Sequence, residues 1–141
     1  MSTRTILLID DSEDFRLIAG NLLLDEGYDV WEAPCPHDAF ALLKREHFDL
    51  ILCDLHMPFM TGPEGADYET SYRVGINTIR ELQGLFPETP VVAITSTDPS
   101  SLSNIREVLQ GIPTFSKPKK RAELMTIVEA SLDPAFMQTA N

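Results

Sequence analysis

At 141 residues with 43% apolar content, the chain is long enough to bury one core and too short for two ordinary domains. Its 22 acidic residues against 11 basic ones give a formal charge of −11, a surface that repels phosphate backbones and anionic headgroups, so a nucleic-acid partner is not expected. Cys35 and Cys53 have no metal-ligand spacing and make no disulfide framework, and no apolar stretch approaches the roughly 20 residues needed to cross a bilayer, so a cytoplasmic protein without membrane insertion is expected.

Apolar, β-rich runs alternate with amphipathic segments along the chain. Thr5–Ile9 reads as the first strand, and Phe15, Ile18, Ala19, Leu22 and Leu23 then repeat at helical spacing behind Ser12, a natural N-cap followed by Glu13 and Asp14. Tyr28–Glu32 is the second strand, with Ala39, Leu42 and Leu43 as the next helical stripe. Asp49–Cys53 is the third, where Cys53 reads as a small buried thiol. Ile76, Ile79, Leu82 and Leu85 mark a helix stopped by Pro87 and Pro90, before a fourth strand at Pro90–Thr95. Asp98-Pro99 offers an N-cap with proline behind it, for a helix carrying Leu102, Ile105, Val108 and Leu109. Pro113–Ser116 is the fifth strand, and Leu124, Ile127, Val128 and Leu132 form the last stripe. All five stripes are expected to be core.

Strand and helix alternating five times implies right-handed crossovers and a parallel sheet covered on both faces, which is why the first, third and fourth strands are apolar throughout. The expected fold class is α/β, a flavodoxin-like (βα)5 three-layer sandwich with strand order 2-1-3-4-5. One domain is expected over residues 1–132, with a short tail at 133–141 and no appended output module.

In such sheets the functional crevice lies beyond the carboxyl ends of the strands. Asp10 and Asp11 follow the first strand, Asp54 the third, Thr95 and Ser96 end the fourth, and Lys117 follows the fifth. A single aspartate at a strand end usually caps a helix or solvates a loop. Three converging on one edge would repel one another, and a divalent cation is the simplest reason to gather them. All-oxygen donors select a hard ion, and Mg²⁺ suits one or two direct carboxylates completed by water and a phosphoryl oxygen. Lys117 supplies a mobile charge able to pair with a carboxylate or a phosphoryl oxygen, and Thr95 and Ser96 supply hydroxyls. A carboxylate can attack phosphorus to give an acyl phosphate. Asp54 stands alone after its strand and is the candidate nucleophile, whereas the adjacent Asp10 and Asp11 suit a metal-holding pair.

With these residues in place, the sequence closely resembles the receiver domain of response regulators in two-component signalling. The matching stretches are Ile6–Ser12, Asp54–Gly62, Val91–Ser96 and Ser116-Lys117-Pro118, spanning Arg4 to about Leu132. The resemblance implies that Asp54 is the phosphoacceptor and that Asp11 and Asp54 bind Mg²⁺ directly, together with the backbone carbonyl of His56. It also implies that Asp10 acts largely through water, that Thr95 and Lys117 read the phosphoryl group, and that a cis peptide joins Lys117 to Pro118. No metal-binding or phosphodonor role is implied for the imidazole of His56, and His37 and His47 read as surface residues.

The pattern is broken in two places. Pro63–Gly75 intervenes between the third strand and its helix as an insertion beside the site, able to shield an acyl phosphate, select a partner, or merely be a solvated loop. Thr114 stands where the family has an aromatic residue, and alternation sends Phe115 to the opposite face, into the core, unless a bulge at the short Gly111–Pro113 stretch re-aims it, which puts the usual switch in question.

The expected function is a phospho-accepting receiver rather than an enzyme with its own substrate. It would take phosphate from a sensor histidine kinase or a histidine phosphotransfer protein and signal to a downstream target protein by a population shift. The alternative is a non-switching receiver serving as a phosphate sink or constitutive interaction module. An aspartyl-phosphate hydrolase is disfavoured, because His56 stands where a second aspartate would be needed.

Overall fold

The computed structural model describes residues 3–57, 72–96, 105–107 and 109–133. Its elements in chain order are β1 (Thr5–Ile9), α1 (Glu13–Asp25), β2 (Asp29–Ala33), α2 (Pro36–Leu43), β3 (Leu50–Asp54), α3 (Tyr72–Leu85) and β4 (Val91–Thr95). The described part of α4 (105–107), β5 (Thr114–Ser116) and α5 (Arg121–Leu132) complete them. All four pairings are parallel and the order is β2-β1-β3-β4-β5, the topology expected from the alternation.

The strand period of two sorts the core into two layers. Ile6, Leu8, Leu50, Leu52 and Val92 meet Ala19 and Leu23 of α1 and Leu124, Ile127 and Val128 of α5. Leu7, Ile9, Ile51, Cys53, Val91 and Ala93 face the other way, onto Ala39 of α2, Ile76, Ile79 and Leu82 of α3, and Ile105 and Leu109. Both faces are covered, so β1, β3 and β4 can be apolar throughout.

Two members of the expected core stripes lie outside it: Ile18 is 61% exposed and Leu85 59%. Ile18 borders an open groove between α1 and α5, and Leu85 is the last residue of its helix, so neither has a partner layer above it. Leu102, Val108 and the Asp98-Pro99 cap fall outside the described residues. The cap expected on α1 is present, with the Phe15 amide donating to Ser12 Oγ at 3.2 Å.

Helix α3 begins at Tyr72, so the last residues of the stretch read as an insertion are helical, and 58–71 lie outside the described residues. Gly75 in its first turns is buried against the β3–α3 connection. A Cβ there would fall 2.5 Å from Leu55 Cα and 2.7 Å from its carbonyl carbon, so only glycine lets α3 approach this closely. The Lys117–Pro118 peptide is trans, since no cis bond occurs among the described residues. This corrects the expected cis linkage: an X–Pro bond differs by only about 1 kcal/mol between isomers, so local context decides, and the long lysine side chain reaches the sheet edge from the trans form.

Candidate phosphoacceptor site

Strand register brings the charged groups together. Ile9 is level with Cys53 in the β1–β3 pair, so one step further along each strand sets Asp10 beside Asp54. Alternation places Asp10 and Asp54 on the side of their strands that faces α1 and α5, the side Lys117 also takes after Phe115. One hydrogen bond beyond the β4–β5 ladder, from the Lys117 amide to the Thr95 carbonyl at 2.7 Å, fixes the height at which the lysine leaves the sheet.

Asp10, Asp11 and Asp54 each offer a carboxylate oxygen within 4.8 Å of the others. Asp10 is fully buried, Asp54 is 3% exposed, and Asp11 faces solvent. Several contacts hold Asp10: its amide donates to the Ala33 carbonyl (3.1 Å), its Oδ1 accepts from the Ser12 amide (2.8 Å), and its carbonyl accepts from Arg16 Nη1 (2.6 Å). Arg16 is held in turn by Glu32, at 3.2 Å. Asp54 Oδ1 accepts from the His56 amide at 3.2 Å, which turns the chain at the end of β3.

Lys117 Nζ lies 2.8 Å from Asp10 Oδ2 and 4.6 Å from the centroid of the Phe15 ring. That approach is a close ion pair, and it sets an ammonium against a carboxylate oxygen with no other partner among the described residues. Buried carboxylates are costly unless cations offset their charge, and here the Lys117 ammonium faces a cluster of three carboxylates. The all-oxygen donor set and the close spacing together fit a small hard divalent ion such as Mg²⁺.

Electrostatics in the metal-free protein show the same strain. Burial, and then the neighbouring charge of Asp10, push the Asp54 carboxyl up to about 7, against the opposing pull of Lys117. Asp11 is raised as well, first by partial burial and then by Asp10. Desolvation pushes the Cys53 thiol well up, so this residue beside the site stays protonated and inert.

All four charged residues singled out from the sequence, Asp10, Asp11, Asp54 and Lys117, lie at this edge. Thr95 is buried at the end of β4 level with Ser116, and His56 adjoins Asp54. His37 and His47 are exposed. The aromatic contact on Lys117 was missed: Phe15 reads as one more apolar position of α1, and no local signal distinguishes a core ring from one that also faces an ammonium. At β5, Thr114 is buried with its hydroxyl donating to the Ile112 carbonyl (3.0 Å), and its own carbonyl accepts from Arg106 Nε and Nη2 at 3.2 and 2.9 Å. Phe115 packs on the α1–α5 core, the face alternation assigns to it.

Comparison with known proteins gives a consistent picture. The profile of the response regulator receiver domain matches residues 6–129. The chain is 36% identical over 97 residues to the sensor histidine kinase AruS of Pseudomonas aeruginosa, covering 69% of this chain and 9% of that protein. It is 34% identical over 91 residues to the transcriptional regulatory protein ZraR of Salmonella typhimurium, covering 64% and 18%. The chain thus spans less than a fifth of the length of these relatives. Among solved structures, a CheY-like receiver domain protein from Methanospirillum hungatei superposes with a TM-score of 0.74 at 21% identity, over 99% of this chain and 100% of that one. The chemotaxis response regulator CheY4 of Vibrio cholerae gives 0.72 at 22%, over 93% and 100%, a likeness of fold. Among the described residues no helix is long and apolar enough to cross a membrane.

Proposed function

The chain belongs to the response regulator receiver domain family of two-component systems, and on that premise we propose that it accepts a phosphoryl group on Asp54 from a histidine kinase or phosphotransfer protein. The observation that carries this is the convergence of Asp10, Asp11 and Asp54 within 4.8 Å, with Lys117 against Asp10. We further assign residues 1–132 to the receiver unit and 133–141 to a tail.

An Asp54 carboxylate oxygen attacks the phosphorus of a phosphohistidine. The new O–P bond makes an acyl phosphate as the N–P bond breaks, and the donor imidazole leaves with the electron pair and takes up a proton. Asp54 must be ionised to attack, and Lys117 favours that form; Asp10, Asp11, Asp54 and the His56 carbonyl would hold a cation that would favour it further. When bound, Mg²⁺ would neutralise the carboxylates and stabilise charge on the equatorial phosphoryl oxygens. Lys117 exchanges Asp10 Oδ2 for a phosphoryl oxygen, and the Thr95 hydroxyl donates to another. Arg16, anchored by Glu32, keeps the Asp10 main chain in place during that exchange.

Intact mass after incubation with Mg²⁺ and acetyl phosphate tests this, beside Asp54→Asn and a chelator control. The gain of one phosphoryl group, lost in both controls, is expected. No gain from acetyl phosphate or a phosphorylated histidine donor would refute the assignment.

A second reading is favoured by β5. With the Thr114 hydroxyl bonded to the Ile112 carbonyl just ahead of the strand and Phe115 packed against the core, a receiver that takes phosphate without relaying a change would serve as a sink or a constitutive partner. Amide shifts on phosphorylation decide between the two: changes confined to residues beside Asp54 support the sink, and changes reaching Arg106 and Thr114 support a switch.

A further inference from the structure

We propose that Phe15 is a positioning residue for Lys117, its ring holding the ammonium at the carboxylate cluster while the lysine exchanges Asp10 for a phosphoryl oxygen. This inference rests on the reading of Asp54 as phosphoacceptor. The Phe15 ring centroid lies 4.6 Å from Nζ, inside the distance of about 6 Å at which an aromatic face attracts a cation.

Both groups are placed by the fold. Lys117 leaves the sheet on the side covered by α1, and Phe15 sits in the first turn of that helix, where its amide bonds the Ser12 cap and so sets the ring's position. The ring is half-buried and borders a groove of about 130 Å³ that also touches Ile18, Leu22, Pro118 and Leu124. Pro118, in the same groove, fixes the backbone on which the lysine is carried.

A lysine needs such help. Its ammonium is strongly hydrated on a flexible stem, and with the side chain 21% exposed it has an open route to water. The anionic partner alone does not hold it through the reaction, because Asp10 is the group Lys117 must leave. A ring face binds the cation without competing for the phosphoryl oxygen, so it restricts the ammonium before and after the exchange. Leucine at this position would fill much of the same apolar volume and offer no such face, which separates positioning from packing.

The test measures phosphoryl uptake from acetyl phosphate in Mg²⁺ for the wild-type chain, Phe15→Leu and Phe15→Tyr. Thermal midpoints and the ¹⁵N-resolved ammonium signal of Lys117 are recorded for each. The expected result is uptake about threefold to tenfold slower in the leucine variant, in line with the strength of a partly desolvated cation–π contact. Its Lys117 signal should be lost to fast proton exchange, and the tyrosine variant should recover both. Uptake by Phe15→Leu within twofold of wild type would overturn the proposal. So would equal slowing in both variants with the ammonium signal intact, which would make the ring a packing element only. If the wild-type chain itself takes up no phosphoryl group, the reading of Asp54 fails and this inference falls with it; normal wild-type uptake with an indifferent leucine variant overturns the inference alone.

Discussion

Replacing Asp54 with asparagine should stabilise the metal-free protein, by an amount that grows with pH. The Asp54 carboxyl titrates at about 7 in the fold, above its ordinary 3.8. A group whose folded value is raised contributes stability fully below its unfolded value and loses it as the pH climbs through the folded one. Between about pH 4 and pH 7 the wild-type fold therefore weakens relative to a variant with no proton to lose. Each tenfold difference in proton affinity is worth about 1.4 kcal/mol, so the ceiling for full ionisation is about 4 kcal/mol. Relaxation around the charge lowers this, and a gain of about 1–3 kcal/mol at pH 8 is expected for Asp54→Asn, shrinking towards zero near pH 4. Asparagine keeps an oxygen to accept from the His56 amide, so the loop geometry survives. The assay is urea denaturation of both proteins in EDTA at pH 4.5, 6 and 8. Equal midpoints at every pH, or a variant less stable at pH 8, would show that burial and Asp10 do not burden this carboxylate.

Adding Mg²⁺ should raise the wild-type thermal midpoint, since binding to the folded state contributes about 1.4 kcal/mol for each tenfold excess over Kd, and Asp54→Asn should respond less; an equal response would remove Asp54 from the ion's ligands. Gly75→Ala should lose about 1–3 kcal/mol in chemical denaturation and slow phosphoryl uptake, because the added methyl meets the Leu55 backbone next to Asp54. A neutral or stabilised variant would mean that α3 shifts without strain. Arg106→Met should cost about 1–2 kcal/mol through loss of both hydrogen bonds to the Thr114 carbonyl; unchanged stability would show that water replaces the guanidinium there. Cys35 and Cys53, both fully buried, should react with an aromatic disulfide reagent only on unfolding, and rapid modification of the native protein would contradict their burial.

Much of this was legible in the sequence because two simple periods carry it. Alternation along Thr5–Ile9 and Leu50–Asp54 gives both core layers, and the residues just past each strand end deliver the carboxylates and Lys117 to one edge whatever the details of packing. Periodicity cannot measure how wide a buried stripe is, which is why Ile18, at the right spacing, lies beside a groove that α5 does not close. Contacts between distant segments leave no trace in either period. The ring of Phe15 on Lys117, the approach of Gly75 to Leu55 and the guanidinium of Arg106 on β5 all belong to this class. The isomer before Pro118 escaped for an energetic reason, since the intrinsic preference is too small to decide it.

The hydrogen bonds from Arg106 to Thr114 bear on how this protein can meet another. β5 is the outer strand of the sheet, and alternation along the β4 ladder turns the Thr114 carbonyl away from its neighbour, towards whatever lies alongside. An exposed main-chain acceptor in that position is a template on which a foreign strand can grow. Here a side chain from the preceding helix already occupies it, and the strand is only three residues long. The acceptor midway along this edge is thus withheld from a foreign strand, which favours recognition by side chains for a partner met on that side.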